Sequence, residues 1–209
     1  MSLDDWEAVQ KVHVLGAFKI TRAAWPHFER QKYGRVIMTA SAAGLYGSFG
    51  QTNYSAAKLG LAGLAQSLAM EGAKYNILVN TIAPLAKSRM LATILPEELI
   101  HELRPENIGA MVLYLCHSSC KESGGLFELG GRWYSRLRWQ RSEGASFPQE
   151  KEVTPEAIAS SWAKINSFDQ NATNPSSGKD AFAPILSSID SGEPNTSAAS
   201  AIAALRSRL

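Results

Sequence analysis

Three short, almost wholly apolar segments set the limits of what this chain can fold into. They are RVIMTAS (35–41), ILVNTIAP (77–84) and GGLFELGG (124–131). Runs of this length without polar alternation read as strands buried on both faces. Helical spacing fills the intervals. Across residues 4–30 one face carries Trp6, Val9, His13, Ala17, Ile20, Ala24 and Phe28, and similar patterns span 52–74 and 106–119. Asp4 or Ser2 can cap the first helix, and Pro26 is expected to bend it near its end. Helix and strand in alternation predict α/β layering, with a parallel sheet covered by helices on both faces. A chain of 209 residues, 45% hydrophobic and 19% charged, is long enough to bury one such core with length left over.

The composition changes after about residue 139. RSEGASFPQEKE reads as a polar linker, and TPEAIASSWAKINSF (154–168) as one amphipathic helix with Thr154 as its cap. Residues 140–206 read as a polar tail around that helix, in which DQNATNPSSGKD and SSIDSGEPNTSAAS are too polar to pack and are expected to be mobile. The final Ser207-Arg208-Leu209 fits the pattern of a receptor-read peroxisomal tripeptide. A net charge of +2 without a basic run argues against a nucleic-acid partner. No apolar run reaches the eighteen residues that a membrane span needs, so no membrane partner is expected. Cys116 and Cys120 flank His117 without a fourth ligand, and read as partly buried thiols rather than a metal site. No metal and no disulfide framework are expected, which suits a reducing compartment.

Chemistry enters with Tyr54 and Lys58. Residues four apart share one helical face, roughly 5–6 Å apart at Cβ. A free phenol titrates near pH 10 and is a poor base at neutrality. A neighbouring ammonium favours the phenolate, and a phenol so tuned can exchange a proton with an alcohol or a carbonyl. Ser41 lies thirteen residues earlier, at the end of the first strand and ahead of a glycine-rich loop. That is the carboxyl edge of a parallel sheet, where open α/β folds bind ligands. NTIAP is expected to deliver Asn80 and Pro84 to the same edge.

Together, Ser41, YSAAK from Tyr54 to Lys58, NTIAP from Asn80 to Pro84 and the GGLFELGG segment resemble the short-chain dehydrogenase/reductases over residues 4–139. Within that family the chain is similar to the branch that oxidises (3R)-hydroxyacyl-CoA with NAD in peroxisomal fatty-acid β-oxidation. The resemblance implies Tyr54 as general acid/base and Ser41 as the hydrogen-bond partner of the reacting oxygen. It implies that Lys58 favours the Tyr54 phenolate and holds the nicotinamide ribose. Tyr54, Lys58, Pro84 and Ser88 become the cofactor-binding set. His13 stands where the family commonly has an asparagine. It either preserves a proton relay or packs as a core histidine.

Leu85 and Lys87 depart from the family pattern after the strand-end proline. The resemblance also begins beyond the family's first strand, glycine-rich turn and helix. The fold expected is therefore a partial Rossmann-like, doubly wound parallel sheet without the N-terminal dinucleotide-binding strands. Such a chain would be a truncated oxidoreductase that binds NAD weakly. The alternative is a catalytically silent module, pairing as a homodimer or with a full-length relative through helices 4–30 and 52–74.

Overall fold

A computed structural model describes residues 1–88, 93, 96–148 and 151–190. Ser207–Leu209 lie outside the described residues. The chain divides into two compact units, Met1–Leu137 and Arg138–Leu209.

The first unit opens with α1 (Leu3–Gln10), a π-helical turn (Lys11–Leu15) and α2 (Gly16–Gln31). Ser2 and Asp5 close a capping box at the start of α1. Where the apolar spacing predicts one uninterrupted helix, the π turn instead inserts a residue, and the Gly16 N–H reaches back to the Lys11 carbonyl. The insertion shifts the inward face by one position. Ile20, expected inside, is 75% exposed, while Thr21 is buried and Trp25 and Phe28 pack on the core. The helix runs on through Pro26 and ends at Lys32, which adopts a left-handed conformation.

Next come β1 (Gly34–Thr39), α3 (Ala42–Tyr46), α4 (Thr52–Gly72) and β2 (Ile77–Leu85). The unit closes with α5 (Glu97–Glu102), α6 (Pro105–Cys116), β3 (Leu126–Gly130) and β4 (Trp133–Leu137). The sheet order is β1-β2-β3-β4, parallel across the first three strands and antiparallel between β3 and β4. β4 is the element that the apolar pattern does not foretell. WYSRL is partly exposed, with two aromatics followed by Ser135 and Arg136, and a two-residue loop joins it to β3. Gly131 starts that loop at φ 57°, a backbone angle that favours glycine.

β1 and β2 share their side chains between two layers. Met38, Ile77 and Val79 pack with Leu61, Ala65 and Ala69 of α4 on one face, joined by Trp25 and Phe28 of α2. Ile82 and Leu129 pack with Leu115 and Cys120 on the other, where Ile108, Met111 and Val112 of α6 close over them. Burying a side chain the size of Ile77 or Leu129 stabilises by about 1.5–3 kcal/mol. Helices on both faces of a mostly parallel sheet are the Rossmann-like architecture that the sequence predicts.

The second unit is smaller and more polar. The segment expected as one helix over 154–168 is two, α7 (Pro155–Ser160) and α8 (Trp162–Ile165), broken where Ser161 sits at φ −96° and ψ 1°. The Thr154 hydroxyl accepts from the Ala157 N–H at 3.2 Å, as a cap should. The stretch 169–180, expected to be mobile, is tied down by polar bonds. The Asp180 carboxylate accepts from the Ser176 and Ser177 backbone N–H groups at 2.6 and 2.9 Å. Those bonds hold its titration below the usual carboxylate range. Arg141 and Thr173 form an antiparallel bridge, and α9 (Phe182–Asp190) follows.

Candidate active site

β1 hands the chain to the site. Past Thr39, the Ala40 N–H still bonds to the Ile82 carbonyl at 2.7 Å, extending the pairing with β2. Ser41 then turns extended (φ −162°, ψ 152°) and its hydroxyl oxygen caps α3, accepting from the Ala43 N–H at 3.3 Å. That bond occupies the oxygen and leaves the Ser41 O–H as a donor. α3 lies directly on α4 because Gly44 has no side chain. A Cβ there would stand 2.8 Å from the Leu59 nitrogen and 2.9 Å from the Lys58 Cβ.

Lys58 is 8% exposed, in the middle of α4. Its ammonium donates to the Thr39 carbonyl at 2.8 Å, joining the helix to the end of β1. The same Nζ sits 5.5 Å from the centre of the Tyr54 ring, within cation–π range. Burial pushes the Lys58 titration down. A partly desolvated ammonium interacts more strongly with a nearby oxygen than one in bulk water.

His13 completes the cluster from the π turn. Its ring meets the Tyr54 ring edge-on, with centroids 5.3 Å apart and planes at 83°. Burial, and then the Lys58 charge, push the His13 titration down. The neutral imidazole is therefore favoured beside Tyr54. His13 is half-buried and packs on the Tyr54 ring.

Pro84 and Ser88 are placed by β2 rather than by α4. Pro84 pairs with Leu129 in the β2–β3 register and faces a groove of about 590 Å³ with Pro105, Ile108, Val112, Leu113 and Cys116. Ser88 is exposed, beyond the Lys87 N–H that bonds to the Leu103 carbonyl at 2.7 Å. Asn80 is not at this edge. It is fully buried mid-strand, opposite Ile37, where its amide donates to the Glu122 carbonyl at 2.7 Å. The amide oxygen accepts from the Gly125 N–H at 3.0 Å. Asn80 pins the loop that enters β3, so its part is structural. A polar residue inside an apolar run needs buried partners of this kind.

Thr39 and Gly44 belong to the site although nothing about their side chains announces it. One contributes a carbonyl and the other an absence. Cys120 packs in the core, and the His117 Nδ1 engages the Ser119 hydroxyl at 2.8 Å. Among the described residues no three metal-binding side chains cluster, and no helix is long and apolar enough to cross a membrane.

Comparison with known proteins points the same way. The short chain dehydrogenase family profile matches residues 1–99. The chain is 53% identical over 176 residues to peroxisomal multifunctional enzyme type 2 of Mus musculus, covering 84% of this chain and 24% of that enzyme. The solved structure of full-length peroxisomal multifunctional enzyme type 2 from Drosophila melanogaster superposes with a TM-score of 0.83 at 39% identity. It covers 90% of this chain and 35% of its own. A short chain dehydrogenase from Mycobacterium avium superposes with a TM-score of 0.63 at 32% identity, covering 78% of this chain and 57% of its own. The chain thus spans about a quarter of the mouse relative's length.

Proposed function

The chain belongs to the short-chain dehydrogenase family, whose members use NAD(P), and from that premise we propose an oxidoreductase of peroxisomal fatty-acid β-oxidation. Its reaction is the NAD-dependent oxidation of a (3R)-hydroxyacyl-CoA to the 3-ketoacyl-CoA. The observation that carries this reading is the Tyr54–Lys58–His13 cluster, set against the end of β1 where Ser41 emerges.

The residues suit the ribose end of such a cofactor. An ammonium carries three N–H donors, and Lys58 is buried with one of them on Thr39. The remaining donor capacity matches the hydroxyls of a ribose. Tyr54 and Lys58 would hold that ribose, with Pro84 and Ser88 toward the carboxamide. A bound nicotinamide supplies the two-electron acceptor for the hydrogen on C3.

The chain's own residues do the acid–base work. Ser41 donates its O–H to the reacting oxygen and orients it. Tyr54, as the phenolate, takes the hydroxyl proton while the C3–O bond gains double-bond character. Lys58 stabilises the negative charge on the phenol oxygen before the transfer. In the reverse direction Tyr54 returns the proton to the carbonyl oxygen. Residues 1–139 would be the catalytic half of the domain and 140–206 an appended tail. Ser207–Leu209 would direct the protein to the peroxisome.

Tyr54→Phe tests the reading. It removes the acid/base oxygen and keeps the ring against His13. NADH formation from NAD and a (3R)-hydroxyacyl-CoA should fall by about 10²–10⁴-fold, with the circular dichroism spectrum unchanged. A wild-type chain that forms no NADH at saturating NAD and substrate would refute it.

A second reading has its own observation. Val12 (68%), Phe18 (43%) and Leu59 (39%) are exposed on the helices at 4–30 and 52–74, and a Cβ at Gly63 would meet open space. These surfaces suit helix packing against a second copy or a full-length relative. Co-expression and size-exclusion chromatography decide it, since separate elution of the two chains would count against pairing.

A further inference from the structure

Between Ser41 and Tyr54 runs a segment that the reaction chemistry does not use, yet its first part, α3, is tethered at three points. Its first anchor is the Ser41 cap on Ala43, and its second is the bare face of Gly44 on Lys58 and Leu59. The third reaches across the sheet. The Tyr46 hydroxyl donates to Glu128 Oε2 on β3 at 2.6 Å, joining residues 82 apart in sequence. That length belongs to a charge-assisted O–H···O⁻ bond.

The placement of this bond is informative. α3 has five residues, too short to hold itself together as a helix. Gly47, at φ 79°, ends it, and Gly50, at φ 76°, follows in the same loop. A Cβ at either glycine would meet nothing within 4 Å, so the loop 47–50 offers α3 no packing support. Tyr46 is 64% exposed, and its ring adds little hydrophobic burial. Its hydroxyl is what connects the C-terminal end of α3 to the sheet. The Glu128 carboxylate also raises the titration of the Tyr46 phenol, which keeps it protonated as the donor.

We propose that Tyr46 and Glu128 form a latch that fixes α3 to β3 and thereby sets the position of Ser41. The two are positioning residues for the acid–base site and act through the Ser41 backbone. The proposal rests on the dehydrogenase reading for its functional part, while the latch itself is a property of the fold.

Ala43 supplies a direct readout, because its amide proton is the one bonded to the Ser41 hydroxyl oxygen. The experiment measures amide exchange by NMR across residues 42–46 in wild type, Tyr46→Phe, Glu128→Gln and Glu128→Ala. Tyr46→Phe and Glu128→Ala should speed exchange at Ala43 and its neighbours by about tenfold, the scale of one lost hydrogen bond to a charged group. Exchange in β2 and α4 should stay unchanged. Glu128→Gln keeps an acceptor and should rescue most of the protection. Unchanged exchange at 42–46 in Tyr46→Phe would overturn the latch.

Turnover is read in parallel as NADH consumption with acetoacetyl-CoA. A fall in kcat with little change in KM supports the positioning role. Faster exchange with an unchanged kcat would overturn it. A wild type without turnover would defeat the dehydrogenase reading, and exchange at Ala43 would still decide the latch.

Discussion

Gly44→Ala is the sharpest test of how the site is built. The added methyl would stand 2.8 Å from the Leu59 nitrogen, 2.9 Å from the Lys58 Cβ and 3.0 Å from the Lys58 carbonyl carbon. That is about 0.5–1.2 Å short of ordinary contact. Two of those three atoms are backbone in α4, whose neighbouring Ala57, Leu61 and Ala62 are buried. α4 cannot move aside, so α3 must lift. Overpacking of this kind costs about 1–3 kcal/mol, readable as a lower urea midpoint by circular dichroism. Displacing Ser41 by a fraction of an ångström to one ångström should also reduce turnover, by up to about 10²-fold. Gly63→Ala is the matched control, because a Cβ there meets nothing within 4 Å. It should stabilise by about 0.5–1 kcal/mol, the ordinary gain of alanine over glycine inside a helix. If Gly44→Ala proves as stable and as active as wild type, the close approach of α3 and α4 does not organise the site.

Two further outcomes follow from polar groups, one half-buried and one fully buried. The His13 titration lies below its usual 6.5, so the unfolded chain takes up that proton first as pH falls. Its contribution to stability is complete above about pH 6.5 and is lost as pH falls through the lowered folded value. Urea midpoints against pH should show that acid limb flattened in His13→Asn, and an unaltered limb would remove His13 as its source. Asn80→Ala should cost about 2–4 kcal/mol by stranding the Glu122 carbonyl and the Gly125 N–H. Thermal unfolding measures it, and a loss below about 1 kcal/mol would show that water replaces the amide.

The first three strands were legible because burial on both faces leaves little room for polar residues. Tyr54 and Lys58 were legible because four residues is a fixed geometry on a helix. β4 was not, since a strand at the sheet's edge has no need of an apolar signature. The packing of Ile20 was misjudged for a different reason. The π turn shifts the phase of the helix by one residue without any compositional mark, so Thr21 and Trp25 take the inward places expected of Ile20 and Ala24. NTIAP reads as a strand end that would carry Asn80 to the site edge, whereas Asn80 sits mid-strand and its partners are backbone groups more than forty residues away in sequence. Thr39, Gly44 and the Tyr46–Glu128 bond depend on contacts between distant segments, which local pattern does not encode.

That one-residue shift also couples two things that evolution would otherwise tune separately. A regular α-helix through residues 11–15 would be the more comfortable backbone, and deleting one residue would restore it. The deletion would also turn α2 by about 100° relative to α1. Trp25 and Phe28 would swing away from the core formed with Met38 and Ile77, while His13 lost its footing beside Tyr54. The turn works as a vernier between a helix aligned to the Tyr54 phenol and a helix aligned to the sheet. Single-residue insertions and deletions in this segment should therefore be harder to absorb than substitutions at its exposed positions, such as Val12.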